Sequence, residues 1–182
     1  MPDPQPYVPR LTDAGMRNNP YWYSRNPFHQ AGYGLPNCTC YAWGRFWECS
    51  DIDRNFGNRP NLSTGNAEDW YGHNDGYERG NTPALGAIAC YADGQFSGDG
   101  HVCVVEEIDL EHNRCLVSES AYNGYYFRAS HYIGLDGSYG YGGYRFQGFI
   151  YNPITGGGPT SGSKKLWLFK RSLWHKEEEL IK

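Results

Sequence analysis

The pattern of hydrophobic and polar positions predicts helices in the first half of the chain and strands in the second. A helix is predicted over residues 38–49, and a shorter one follows Asn66, a favourable N-cap residue. Short apolar runs between glycine-rich or polar turns are typical of strands. They lie near residues 86–91, 101–108, 114–119, 124–133 and 144–151. Helices followed by closely spaced strands are typical of an α+β domain with an antiparallel sheet.

Composition changes on both sides of this predicted domain. We divide the chain into a Pro/aromatic arm at 1–26, a domain at 27–153, a linker at 154–163 and a tail at 164–182. The linker is rich in Gly, Ser and Pro, a composition typical of flexible connections. In the tail, leucine and phenylalanine positions fall near one face of a predicted amphipathic helix. That helix is expected to fold back on the domain, to self-associate or to dock on a partner.

The charge pattern argues against nucleic-acid binding. Sixteen Lys and Arg residues stand against 20 Asp and Glu residues, a net charge of -4, and the cations are scattered. No apolar run approaches the length of a transmembrane helix, and the polar N-terminus is not typical of a signal peptide. We therefore expect synthesis in the cytoplasm and six reduced cysteines, with a Cys103–Cys115 bridge left open.

One cysteine stands at a predicted helix start. Pro36 ends a loop, Asn37 is a good N-cap residue, and Cys38 falls on the first turn of the helix. Unpaired N–H groups and the helix dipole at such a position favour a thiolate and can also stabilise an oxyanion. Cys40 competes for the role, but it faces another side of the helix. Cys38 is therefore the predicted nucleophile, and its backbone N–H is the first oxyanion-hole candidate.

A histidine and a carboxylate lie at strand ends. His101 follows a Gly-Asp-Gly turn and opens an apolar run, so its ring can point into a cleft. Glu119 closes the next run, where a carboxylate can accept the second ring N–H of a histidine. The remaining histidines lack such flanks and are predicted to be exposed loop residues: His29, His73, His112, His131 and His175.

An ordered series of short motifs resembles the CHAP domain, the cysteine- and histidine-dependent amidohydrolases and peptidases of bacterial and bacteriophage wall-lysis enzymes. The series spans roughly residues 27 to 153 and comprises Asn37-Cys38-Thr39 with Tyr41, Gly65-Asn66-Ala67-Glu68-Asp69-Trp70, Pro83 to Ile88, Gly100-His101-Val102 with Val104-Val105-Glu106, Ser118-Glu119-Ser120 and Phe149-Ile150-Tyr151-Asn152-Pro153. The resemblance implies a papain-like fold with helices packed on an antiparallel sheet. It also implies that Cys38 is the nucleophile, His101 the general base and Glu119 the residue that orients the histidine.

Other members of the family often carry an asparagine two residues after the glutamate, and this chain has Ala121 there. Asn37 and Asn123 are the auxiliary candidates, and Tyr33, Trp70 and Tyr122 are predicted to form the rim of a substrate groove. Some phage members bind calcium just before the cysteine. Residues 26–36 contain no Asp or Glu, so no metal and no cofactor are expected.

By this resemblance, the expected activity is hydrolysis of an amide bond in peptidoglycan, either between sugar and peptide or within the peptide. A phage or prophage gene is expected, with action on the cell wall after release from the bacterial cytoplasm. Two alternatives remain. The chain could be a wall-binding or virion-structural module without turnover, which Ala121 motivates, or a thiol amidase that acts on a peptide outside the wall.

Overall fold

Helices precede strands along the chain, as the sequence predicts. The computed structural model describes residues 7–94, 99–140 and 143–153. Helix α1 is Pro27–Gln30, α2 is Cys38–Ser50, and a 3-10 turn covers Ala67–Asp69. The strands are β1 Arg79–Gly80, β2 Ile88–Ala92, β3 His101–Asp109, β4 Arg114–Glu119, β5 Arg128–Gly134 and β6 Arg145–Ile150. The prediction of an α+β domain is confirmed, and α2 begins at the predicted residue.

The strands of the described residues form one antiparallel sheet in the order β1-β6-β2-β3-β4-β5. Neighbouring antiparallel strands place the first residue of one near the last residue of the next. His101 opens β3 and Glu119 closes β4, so both lie at the same end of the sheet. Arg128 on the edge strand β5 stands directly opposite Glu119. The topology alone therefore brings a histidine, a carboxylate and an arginine together.

Helix α2 packs on one face of the sheet through a large aromatic core. Trp43, Phe46 and Trp47 are almost completely buried, as are Val102 and Val104 of β3. A second cluster covers the opposite face and includes Tyr91, Cys103, Val105, Val117 and Phe149. A sheet covered on both faces reads as nearly continuous apolar runs, and this explains why β2, β3 and β4 are recognisable from sequence.

Part of the N-terminal arm belongs to the same core as α2. Met16, Tyr21 and Trp22 are buried, and the Trp22 indole donates a hydrogen bond to the Tyr41 carbonyl at 3.1 Å. Gly44 of α2 permits this approach, because a Cβ there would lie 2.4 Å from the Trp22 ring. The predicted boundaries at 26 and 153 stay predictions.

A buried ion-pair network secures the arm to the sheet. Arg45 contacts Glu48 at 2.7 Å and Glu106 at 2.9 Å, and Arg10 from the arm pairs with Glu48. Tyr7 donates a hydrogen bond to Glu106 at 2.6 Å. Buried charges require such partners, and removal of one partner would leave another charge without compensation.

One local prediction differs from the structure, and one open question is answered. The Asn66 side chain does not cap the short helix, because its amide donates to Asp99 across the loop at 2.9 Å. Cys103 and Cys115 are both free thiols, so the open question of a bridge is answered. No helix among the described residues is long and apolar enough to cross a membrane. The linker at 154–163 and the tail at 164–182 lie outside the described residues.

Candidate active site

The start of α2 is fixed by its cap and by the end of β4. The Asn37 side-chain oxygen accepts hydrogen bonds from the Thr39 backbone N at 2.9 Å and from its hydroxyl at 2.7 Å. The Asn37 backbone N donates to the Ser120 hydroxyl at 3.0 Å. One turn later, Tyr41 donates to the Ser118 hydroxyl at 2.7 Å. These bonds involve the residues on either side of Glu119, and they hold Cys38 beside the end of β4.

The structure brings Cys38, His101 and Glu119 into one chain of contacts. The Cys38 side chain lies within interaction range of the His101 ring and helps to raise the pKa of this imidazole. The Nε2 atom of His101 lies 2.7 Å from the Oε2 atom of Glu119. Since Nε2 is held by the carboxylate, Nδ1 is the ring nitrogen that is left for the sulfur. Each residue comes from a different element, so only the folded chain assembles the set.

His101 is held in a form suited to proton transfer. Burial opposes its cationic form, but hydrogen bonds to Cys38 and Glu119 outweigh burial and raise the pKa of His101 to about 9. The Tyr144 ring stacks on the imidazole at 5.5 Å between centroids, and Tyr139 meets it edge-on at 5.3 Å. An aromatic face stabilises a neighbouring cation. The site therefore favours an imidazolium next to the sulfur.

Glu119 is fully buried and remains ionised. Burial would raise the pKa of this carboxyl group, but hydrogen bonds from His101, His131 and Tyr139 hold it far below its usual range. Arg128 adds an ion pair on the Oε1 atom. A carboxylate that keeps its charge is a permanent acceptor for the His101 N–H, and so it fixes the orientation of the ring.

The prediction that His131 is an exposed loop histidine is wrong. It lies on β5 with a side chain that is only 9% exposed, and its Nδ1 atom is 3.0 Å from the Oε1 atom of Glu119. A signal existed in the sequence. Ile133, two residues later, points inward and is 1% exposed, so strand alternation places His131 on the same inward face.

The prediction that Trp70 forms a groove rim is also wrong. Trp70 is completely buried, stacks on Phe28 and donates its indole N–H to the Gly65 carbonyl at 3.1 Å. Such a side chain has no surface left for a substrate. The other two predicted rim residues, Tyr33 and Tyr122, are 57% and 62% exposed. Their role as rim residues stays a prediction.

The two auxiliary candidates lie in different environments. Asn37 is buried next to Cys38, and its side-chain oxygen accepts the cap bonds of the helix. Its side-chain amide N–H group remains as a hydrogen-bond donor. Asn123 is exposed in the turn after β4, with a positive φ of 54°. No described hydrogen bond joins Asn123 to the contact chain of Cys38, His101 and Glu119.

Cys38 differs from the competing thiols in its access to solvent. Cys40 is completely enclosed, and burial raises the pKa of its thiol to about 12. Cys38 is half-buried at the helix start and stands next to the imidazole. Among the described residues, no three His, Cys, Asp or Glu side chains converge as a metal-binding group. The geometry thus favours Cys38 over Cys40 as the reactive sulfur.

Comparison with known families agrees with this arrangement. A family model for the CHAP domain matches residues 28–121, more than half of the chain. The chain belongs to the CHAP domain family. The matched range contains Cys38, His101 and Glu119, and CHAP domains are generally hydrolases with amidase or peptidase activity. A search of curated proteins finds no match. The family therefore indicates a peptidoglycan-related hydrolase or amidase, without fixing the bond that is cleaved.

Proposed function

We propose that this CHAP domain is a peptidoglycan hydrolase that cleaves an amide bond in wall peptides, with Cys38 as nucleophile. The single observation that carries the proposal is the chain of contacts from Cys38 through His101 to Glu119. A helix-borne cysteine next to a histidine and a carboxylate from two neighbouring strands also supports the papain-like fold. A phage or prophage gene and action at the wall after release belong to the same proposal.

The chemistry follows from the charges in the site. The Cys38 thiolate attacks the amide carbonyl, and the backbone N–H of Cys38 at the helix start stabilises the developing oxyanion. The His101 imidazolium gives its proton to the leaving amine as the C–N bond breaks. Water, deprotonated by the now neutral His101, then hydrolyses the thioester and regenerates the thiol. Glu119 stays ionised throughout and keeps His101 in orientation.

Mass spectrometry of digested, purified peptidoglycan tests this function directly. We expect new peptides with a free N-terminal alanine or glycine, which mark the scissile bond, and no new reducing sugar ends. A parallel digest with Cys38→Ala serves as the control and should contain none of these peptides. If the active protein releases only new sugar ends, or nothing, the proposed function is wrong. Cleavage of a separate peptide substrate by a protein that leaves peptidoglycan intact would favour the alternative of a different thiol amidase.

The pH dependence of hydrolysis should show a high alkaline limit. His101 carries its proton below a pKa of about 9 and loses it as the pH rises through that value. Because the leaving amine needs this proton, kcat should be steady in the neutral range and fall above pH 9. Initial rates measured on soluble wall fragments across this range check the expectation. A fall near pH 6.5, the ordinary value for histidine, would show that the imidazolium is not stabilised.

A further inference from the structure

Glu119 accepts hydrogen bonds from four described side chains, which is more than orientation of one histidine requires. Its Oε2 atom receives Nε2 of His101 at 2.7 Å and the Tyr139 hydroxyl at 2.5 Å. Its Oε1 atom receives Nε of Arg128 at 3.0 Å and Nδ1 of His131 at 3.0 Å. A carboxylate offers about four lone-pair positions, so this set occupies its acceptor capacity. The carboxylate cannot rotate away from His101 without breaking several bonds.

His131 occupies a place where both ring nitrogens face acceptors. Nδ1 meets the Glu119 carboxylate, and Nε2 meets the Tyr139 carbonyl oxygen at 2.9 Å. The ring of His131 is therefore held at both nitrogens, and it meets Glu119 on the oxygen away from His101.

Tyr139 joins the two histidines into one unit. Its hydroxyl binds Glu119 and its carbonyl binds His131, while its ring packs against both imidazoles. The ring centroids of Tyr139 and His131 are 4.4 Å apart with an interplanar angle of 81°. Because these contacts close a loop through Glu119, a displacement of His131 would be transmitted to the carboxylate.

We propose that His131 and Tyr139, together with Arg128, are positioning residues that clamp Glu119 and thereby hold His101 against Cys38. The clamp comes from β5 and the segment after it. It supplies the rigidity that a fourth polar residue at position 121 would otherwise add. This inference rests on the proposed function for its role in turnover, but the state of His101 can be measured without any substrate.

Two substitutions of His131 test its hydrogen bond to Glu119. His131→Ala removes this bond, and we expect kcat to fall about tenfold to 100-fold with KM nearly unchanged, as for residues that orient a metal ligand from outside the first coordination sphere. His131→Asn keeps an N–H donor near the Nδ1 position, so it should recover most of kcat. Rates are normalised to the fraction of Cys38 that iodoacetamide can alkylate, which removes any contribution from misfolded protein.

The hold on Glu119 is measured through His101 itself. Among the described residues, Arg128, Tyr139 and His101 contact Glu119 beside His131. The hydrogen bond between Glu119 and His101 helps to raise the pKa of His101, so a carboxylate that is free to move should let this pKa fall below about 9 in His131→Ala. His131→Asn, which keeps a donor to Glu119, should leave it unchanged, and NMR titration of the imidazole measures both variants. The matched control is His112→Ala, which removes an exposed histidine paired with Asp109.

The outcomes distinguish the two proposals. Loss of kcat in the Ala variant with recovery in the Asn variant, and a lowered His101 titration in the Ala variant only, supports the clamp. Unchanged kcat or an unshifted His101 titration in His131→Ala overturns it. If the wild-type chain cleaves no wall peptide, the proposed function fails, and the titration of His101 still decides whether His131 acts on the site.

Discussion

Replacement of Cys38 by alanine should lower the rate of wall-peptide cleavage by at least about 10,000-fold, the largest loss that we expect from any single substitution. Without the sulfur no thioester can form, and water has to attack the amide directly. The helix N–H groups and the substrate contacts remain, so a small residual rate above the uncatalysed reaction is expected. The measurement is the rate of soluble peptide release from purified peptidoglycan.

A change in stability should not obscure this result. Cys38 is half-buried on the first turn of α2, and the cap bonds of the helix come from Asn37 and Thr39. Cys38 packs against the edge of the core, but its replacement removes only one partly exposed sulfur and keeps the cap, so the alanine variant should melt within a few degrees of the parent.

Cys49 provides the matched control for Cys38. It is the other cysteine with some exposure, and burial raises the pKa of its thiol to about 12, so it should be unreactive. Cys49→Ala should keep full activity and full labelling by iodoacetamide, whereas Cys38→Ala should lose both. Peptide release that persists in Cys38→Ala would contradict the thiol mechanism. An inactive parent that still alkylates at Cys38 would favour the reading of a wall module without turnover.

The sequence predicts the positions of Cys38, His101 and Glu119 because each lies at a helix or strand end that has a local signal. Asn37 caps α2 through two bonds from Thr39, two residues later, so the helix start could be recognised without knowledge of the tertiary structure. His101 and Glu119 sit where long apolar runs begin and end, and the two strands match their predicted bounds within one residue. Chain order and antiparallel pairing then place both side chains at one sheet end.

The rest of the site depends on how deeply each side chain is buried and on the geometry of the edge strand β5. A single sequence encodes both only weakly. Trp70 is an aromatic residue of the kind that lines substrate grooves, but only the packing of Phe28 over its ring shows that it is enclosed. His131 lies on an edge strand where only Ile133 is fully buried, so the alternation of inward and outward positions is blurred by partly exposed residues. Tyr139 follows a glycine turn, and nothing local indicates that its hydroxyl reaches Glu119.

The difference between local sequence signals and contacts created by folding also explains why the clamp is not visible in the family motifs. The matched range ends at residue 121, before β5 begins at Arg128. Arg128 and His131 contact Glu119 from β5, which pairs with β4, and Tyr139 contacts it from the segment after β5. The surroundings of Glu119 are therefore a property of the folded chain, and the matched range contains only His101 of its four side-chain partners.

Replacement of His101 by glutamine should lower kcat by about 1,000-fold or more, the second-largest expected loss. The Gln amide can still donate to Glu119 from near the Nε2 position, which preserves the buried carboxylate, but it has no ring nitrogen for Cys38. The leaving amine then lacks an acid, and no imidazolium stands beside the sulfur. Alkylation of Cys38 at mildly acidic pH should fall in parallel, because the thiolate loses its counter-ion. Both rates are measured on the same preparation.

His73→Gln is the matched control for His101→Gln, because His73 is an exposed histidine in a turn far along the chain from β3. It should leave both rates unchanged. The contrast also separates two accounts of Glu119. If the carboxylate acts only through His101, then Glu119→Gln combined with His101→Gln should be no slower than His101→Gln alone, since coupled residues are not additive. A further loss in the double variant would mean that Glu119 touches the reaction by a second route, and the orienting role assigned to it would be wrong.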